Sequence, residues 1–277
     1  MTSMGGIERF FLCNSNLPAM PEVARQVVAC FDDAAVDLAT LGQIAGRDPE
    51  VAARIVRFAG TPARGGFAAA SLPEAAARLG AQSLRDHVLA ASIASAFPHV
   101  PDLEPIAFWK HCLATAGTAR VLAPALGADA DGAYLAGLLV RAGQLLLARM
   151  LPQVLQSVES SLQEPGGRAR LERLAIGTAH ADMSAEVARR WRLPQRLVDG
   201  LAGSVEPLEA TPFSPLAAAL DLAGTVSDAA QLGVDPVLAL ASVRAPLLRR
   251  LQLEESWLRE RLPSWGSLTD GSEALFA

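Results

Sequence analysis

The stretch from Ala136 to Leu147 reads AGLLVRAGQLLL, a run of small and apolar residues broken by one charge, Arg141, and is expected to form one helix. The longest apolar run, Ala133 to Val140, stops at that arginine. It is far shorter than the roughly 20 residues a membrane-spanning helix needs, so no membrane insertion is expected. Working outward, alanine and leucine dominate, 51% of residues are hydrophobic, and only 5% are aromatic. Runs of β-branched residues are short. That composition favours helix over sheet and is ample for a sizeable core. The formal net charge is -5, with both signs interspersed, which argues against a nucleic-acid surface. The beginning, MTSMGGIERFF, lacks the basic region and apolar run of a secretory signal, so a cytoplasmic location is expected. Cys13, Cys30 and Cys112 are far apart and form no CxxC, and we read them as small buried apolar residues in a reducing compartment.

Helical signals recur along the chain. From Pro21 to Phe31, Val23, Val27, Val28 and Phe31 share one face. Asp48 can cap a helix with Pro49 in its first turn, and Val51, Ile55, Val56 and Phe58 supply its apolar side. Ser71-Leu72-Pro73-Glu74 has the form of a capping box, Gly80 ends that helix, and another covers Gln82 to Phe97. The proline-bracketed segment His99 to Pro105 is the best boundary, dividing an N-terminal lobe (1–100) from a second lobe (101–277). Gln163 to Arg168 and Glu206 to Pro215 read as loops, with Ser214-Pro215 as a helix start. A charged helix with one tryptophan is expected from Leu247 to Leu262.

Several blocks, taken in order, resemble the HDOD family, the non-catalytic relatives of HD-superfamily metal-dependent phosphohydrolases in bacterial signalling. LPAMPEVARQVV (Leu17 to Val28) is similar to the family's opening, and IAGRDPEVAARIVRFAG (Ile44 to Gly60) to its Arg-Asp-Pro helix start. SLPEAAARLGAQSLRDHVLA (Ser71 to Ala90) resembles its Leu-Gly turn, and FWKHCLATA (Phe108 to Ala116) its Phe-Trp-Arg/Lys-His-Ser motif. HADMSAEVARRWRLPQRLVDG (His180 to Gly200) resembles a His-Ala-x-x-Gly...Trp-x-Leu-Pro pattern. The resemblance covers roughly residues 17 to 226. It implies an all-α multi-helix HDOD fold, with an N-terminal helical lobe packed on an HD-like helical lobe.

The departures are informative. The opening stretch resembles the AGLLHDIGK of HD hydrolases, whose His-Asp pair holds a metal. Here that pair is Val140 and Arg141, one with no lone pair and one a permanent cation. Gly203, Ser204 and Val205 stand where the family often has histidines. Gly224 falls where a last metal aspartate would be, and Ala59-Gly60-Thr61 replaces Ala-Asn-Ser. Of the ligands, His111 and His180 remain, too few for a catalytic metal site, which normally has three protein ligands plus water. The resemblance thus implies no catalytic residues, no metal and no cofactor, but a vestigial cleft of His111, Val140, Arg141, His180 and Gly224.

For each residue there is a plainer reading. His111 reads as a core histidine bonded to a carbonyl or carboxylate, and His180 as a packed residue at a helix start. His87 and His99 match no constellation, and Asp86-His87 reverses the HD order. A buried guanidinium cannot be left unpaired, so Arg141 is expected to tie to an acid such as Asp182 or Glu186. Alternatively it binds a phosphate or carboxylate. The acid pairs Asp32-Asp33 and Glu254-Glu255, and the arginine pairs Arg189-Arg190 and Arg249-Arg250, read as solvated. No P-loop, GxSxG or HExxH occurs. Two functions follow. One, implied by the resemblance, is a non-enzymatic interaction module whose partners are two-component or cyclic-di-nucleotide signalling proteins. The other is a degenerate phosphohydrolase, or a sensor of a small anionic ligand or nucleotide, using the old cleft.

Overall fold

The computed structural model describes residues 17–31, 36–97, 99–101 and 103–277, and every regular element among them is helical. Cys13, the opening segment and Asp32-Asp33 lie outside the described residues. The chain divides into two compact units. One gathers Pro18–Lys110 with Thr269–Ala277, and the other is built on His111–Leu268. The division therefore falls ten residues beyond the boundary expected at 100, and the last nine residues group with the first unit.

The first unit contains α1 (Glu22–Ala29), α2 (Leu38–Ala45), α3 (Pro49–Ala59) and α4 (Leu72–Ala96). The Asp48 carboxylate accepts from the Glu50 and Val51 amides ahead of Pro49, satisfying donors that the first turn leaves open. At the start of α4 the Ser71 hydroxyl accepts from the Glu74 amide, while Glu74 reaches back to the amide of Ala70, one residue before the cap. Gly80 adopts φ 75, ψ 166, so α4 is two helices across a kink, as its glycine predicts. Val23, Val27, Leu41, Val51, Ile55, Phe58, Leu84 and Ile93 form the core, whereas Val28 and Phe31 are half-buried. His87 belongs to this core: its ring lies 4.2 Å from that of Phe58, and Nδ1 donates to the Ser83 carbonyl. His99 is exposed.

The second unit carries the next helices, the first of them from His111 onward. Helix α5 (Pro105–Leu126) leads to α6 (Ala130–Leu139), α7 (Ala142–Met150), α8 (Pro152–Ser161), α9 (Arg168–Ile176) and α10 (His180–Arg190). Then come α11 (Gln195–Gly203), α12 (Pro215–Gln231), α13 (Pro236–Val243), α14 (Ala245–Leu251), α15 (Glu255–Arg261) and α16 (Trp265–Thr269). α10 packs on α7 and α11, and α12 on α6, α11 and α13. Ser214 caps α12 ahead of Pro215. The tail is not one helix: Gln252 takes φ 55 and separates α14 from α15, exposing the charged residues of both. A final short helix, α17 (Glu273–Phe276), belongs to the first unit and packs on α3 and α4. No helix among the described residues is long and apolar enough to cross a membrane.

Candidate functional site

The site begins at a joint. Ala136 to Leu147 is not one helix: α6 closes at Leu139, Val140 and Arg141 form a turn, and α7 opens at Ala142. A break of this kind orphans backbone groups on both sides. Ser184 of α10 answers two of them. Its hydroxyl donates to the Val140 carbonyl at 2.9 Å and accepts from the Gly143 amide at 2.8 Å. Only glycine fits at 143, because a Cβ there would lie 2.1 Å from the His180 carbonyl oxygen and 2.6 Å from the Met183 Cβ. The joint is thus pressed against the start of α10, and Val140 and Arg141 are both buried.

His111 (α5), Val140 and Arg141 (the joint), His180 (α10) and Gly224 (α12) all line one cavity of about 60 Å³. Nothing lies within 4 Å of where a Gly224 Cβ would stand, so this wall is open. Asp221 and Asp228 flank it three residues before and four after, on the same helix face, and both line the cavity.

Asp228 is the hub. Its Oδ1 lies 2.7 Å from His111 Nε2 and 3.9 Å from Arg141 Nη1, and its Oδ2 accepts from the Gly166 amide at 2.9 Å. Burial pushes the His111 imidazole down to about 4, with Arg141 adding to the effect. The ring is therefore neutral at pH 7 and donates from Nε2. Burial alone would raise Asp228, but the hydrogen bond from His111, the Arg141 charge and the Gly166 amide outweigh it and hold the carboxyl below its ordinary range. His111 is thus a core histidine bonded to a carboxylate.

Arg141 departs from its expected partners. Its Nε and Nη2 both donate to Gln144 Oε1, at 2.9 and 2.7 Å. Gln144 in turn donates to Glu159 at 3.1 Å, and Glu159 also accepts from Arg168 at 2.8 Å. Asp182 is occupied elsewhere, accepting from the Ala179 amide and the Thr178 hydroxyl, and so fixes the first turn of its own helix. Glu186 pairs with Arg189 and Arg190 one turn on. Both acids are too committed locally to serve Arg141. The arginine instead faces Asp228 and a relay through Gln144.

The remaining contacts close the wall. Glu172 accepts from both the amide and the Nδ1 of His180, which packs at the first position of α10. Arg244 Nε meets both oxygens of Asp221, at 2.8 and 2.7 Å, and its Nη2 donates to the Gly166 carbonyl. Gly166 sits at φ 71, and a Cβ there would fall 2.3 Å from Arg244 Nη2, so glycine is required both for the turn and for the approach. Among the described residues no group of three or more His, Cys, Asp or Glu is arranged to hold a metal ion.

Reading the sequence alone misses Asp221, Asp228, Arg168, Arg244 and Ser184. Asp221 and Asp228 carried a signal, their spacing around Gly224. Ser184 carried another, standing where the His-Ala-x-x-Gly pattern has glycine. Arg168 and Arg244 carried none, because distant segments of chain bring them to the cavity.

Comparison with known proteins agrees with this architecture. A protein from Shewanella amazonensis SB2B, provisionally named a phosphohydrolase, aligns at 22% identity with a TM-score of 0.72, over 99% of this chain and 97% of its own. An HDOD domain protein of unknown function from Geobacter sulfurreducens aligns at 19% identity and TM-score 0.73, over 98% and 96%. A provisionally named signal transduction protein from Marinobacter aquaeolei VT8 aligns at 21% and 0.74, over 98% of this chain and 62% of its own. No curated protein matches the chain. The HDOD domain profile matches residues 17–207, more than half of the sequence, and the chain belongs to the HDOD family.

Proposed function

We propose that this protein is a non-enzymatic regulatory module of bacterial signal transduction, which docks to other signalling proteins. The observation that carries the reading is the guanidinium of Arg141 inside the cavity, 3.9 Å from Asp228. A divalent metal there would face a fixed cation. Val140 offers no lone pair, and His111 and Asp228 are spent on each other. That donor set does not fit a metal ion, so no metal-activated water is available as nucleophile. Family resemblance points to two-component or cyclic-di-nucleotide pathway proteins as partners, and the provisional name of the Marinobacter neighbour is in keeping with it. A second reading, a vestigial cleft that senses an anion, is favoured by the three arginines on its walls.

The test is elemental analysis after a mild chelator wash, with an assay against cyclic dinucleotides. We expect no stoichiometric metal and no turnover above a buffer blank. About one Zn, Fe or Mn per chain, with turnover abolished by His111→Ala, would overturn the reading.

A further inference from the structure

We infer that the cavity binds a small tetrahedral oxyanion, inorganic phosphate or the phosphoryl end of a phosphomonoester, through Arg168. This rests on the reading that no metal holds the cleft. Arg168 opens α9 and lines the cavity with its side chain only 7% exposed. Its Nη2 reaches Glu159, but Nε and Nη1 are buried with no hydrogen-bond partner. Among the described residues lining the cavity, no other has a buried side-chain donor left over. Buried donors without acceptors are costly, so an incoming acceptor is favoured.

The acids on the walls do not oppose it. Both oxygens of Asp228 are taken, by His111 and the Gly166 amide, and both oxygens of Asp221 face Arg244. Three arginines and two aspartates line the cavity, while Glu159 pairs with Arg168 and Glu172 with His180 behind the walls, so the attraction for an anion lies in the open donors of Arg168 and not in an excess of charge. Glu159 is 46% exposed, so water can solvate it when the guanidinium turns toward a ligand. One water needs about 10–15 Å³ of such space, so the roughly 60 Å³ here takes about four to six waters, room for a phosphate group and much less than a nucleotide needs. The open wall at Gly224 provides the room.

Isothermal titration with inorganic phosphate, and separately with phenyl phosphate, tests this on the full chain. Saturable one-to-one binding is expected, weakened roughly tenfold or more by Arg168→Gln and partly kept by Arg168→Lys, as for loss of a charge-assisted hydrogen bond. Tighter binding of phenyl phosphate assigns an ester as the ligand, and tighter binding of phosphate assigns the free ion. Should Arg168→Gln fail to fold, Gly224→Asp serves instead, since it places a carboxylate in open space and should abolish binding by repulsion. No saturable heat with either ligand, or affinity unchanged in the variant, overturns the proposal. Metal analysis of the same sample separates the two failures. Metal-dependent phosphate binding sinks the metal-free reading as well, whereas a metal-free protein that ignores both ligands sinks this inference alone.

Discussion

Replacing Arg141 with alanine isolates what the guanidinium contributes. The variant loses two charge-assisted hydrogen bonds to Gln144 Oε1 and leaves that oxygen short of donors in a residue 1% exposed. Stranding a buried charge typically costs ~3–5 kcal/mol, and an unsatisfied buried acceptor ~1–3 kcal/mol. Asp228 is not fully stranded, because His111 and the Gly166 amide still hold it. Loss of the repulsion between Arg141 and Arg168 returns part of the cost. We therefore expect about 2–3 kcal/mol of destabilisation, or a melting temperature lower by roughly 4–12 °C at ~2–4 °C per kcal/mol. A second readout is specific to the charge. Arg141 is one of the causes that depress His111, so the His111 imidazole should titrate above its present value of about 4 in Arg141→Ala. Urea or thermal unfolding supplies the first measurement and NMR titration of the histidine ring the second. A variant that melts like the parent, with His111 unmoved, would refute the idea that Arg141 is a structural tie.

His111 makes stability depend on pH. Its folded value of about 4 lies below the unfolded 6.5, so its contribution is complete above pH 6.5 and is lost as pH falls toward 4. The loss approaches roughly 3 kcal/mol, and urea midpoints for His111→Gln should fall less steeply over that window than those of the parent. Asp228 is lowered as well, so its contribution disappears only at still lower pH. Ser184→Ala strands the Val140 carbonyl and the Gly143 amide and should cost about 2–4 kcal/mol, with faster hydrogen exchange at Gly143; an unchanged midpoint would show the stitch to be dispensable. Gly143→Ala should destabilise by at least ~1–3 kcal/mol, because the helix must shift to admit the methyl group, and a stability equal to the parent's would contradict the close approach of α7 to α10.

The parts of the fold legible in the sequence are those written locally. Asp48-Pro49 and Ser214-Pro215 announce helix starts because caps act within a few residues, and Gly80 announces a break because few other residues tolerate its φ. The joint at Val140-Arg141 was hidden. Its apolar neighbours have good helix propensity, and the break is held by Ser184, some forty positions away. The same limit explains Arg141. Asp182 and Glu186 were plausible partners by proximity to His180, but their own helix uses them, and the carboxylate Arg141 faces comes from α12. The tail misled for a different reason: Gln252 takes a left-handed conformation that no glycine or asparagine advertises.

Helix α17 bears on how the first unit is assembled during synthesis. Phe276 stacks on Trp109 at 6.1 Å between ring centroids, Arg57 donates to the Ala277 carbonyl at 3.1 Å, and Glu273 pairs with Lys110. Residues 18–110 leave the ribosome well before Thr269–Ala277, which complete the same unit and begin about 160 positions after Lys110. Closing so long a span is entropically tolerable, since each doubling of length adds only ~0.6 kcal/mol, but the delay is set by translation and not by chemistry. In the interval the faces of α3 and α4 that α17 covers stand bare. The first unit is thus completed only once all of His111–Leu268 has been made.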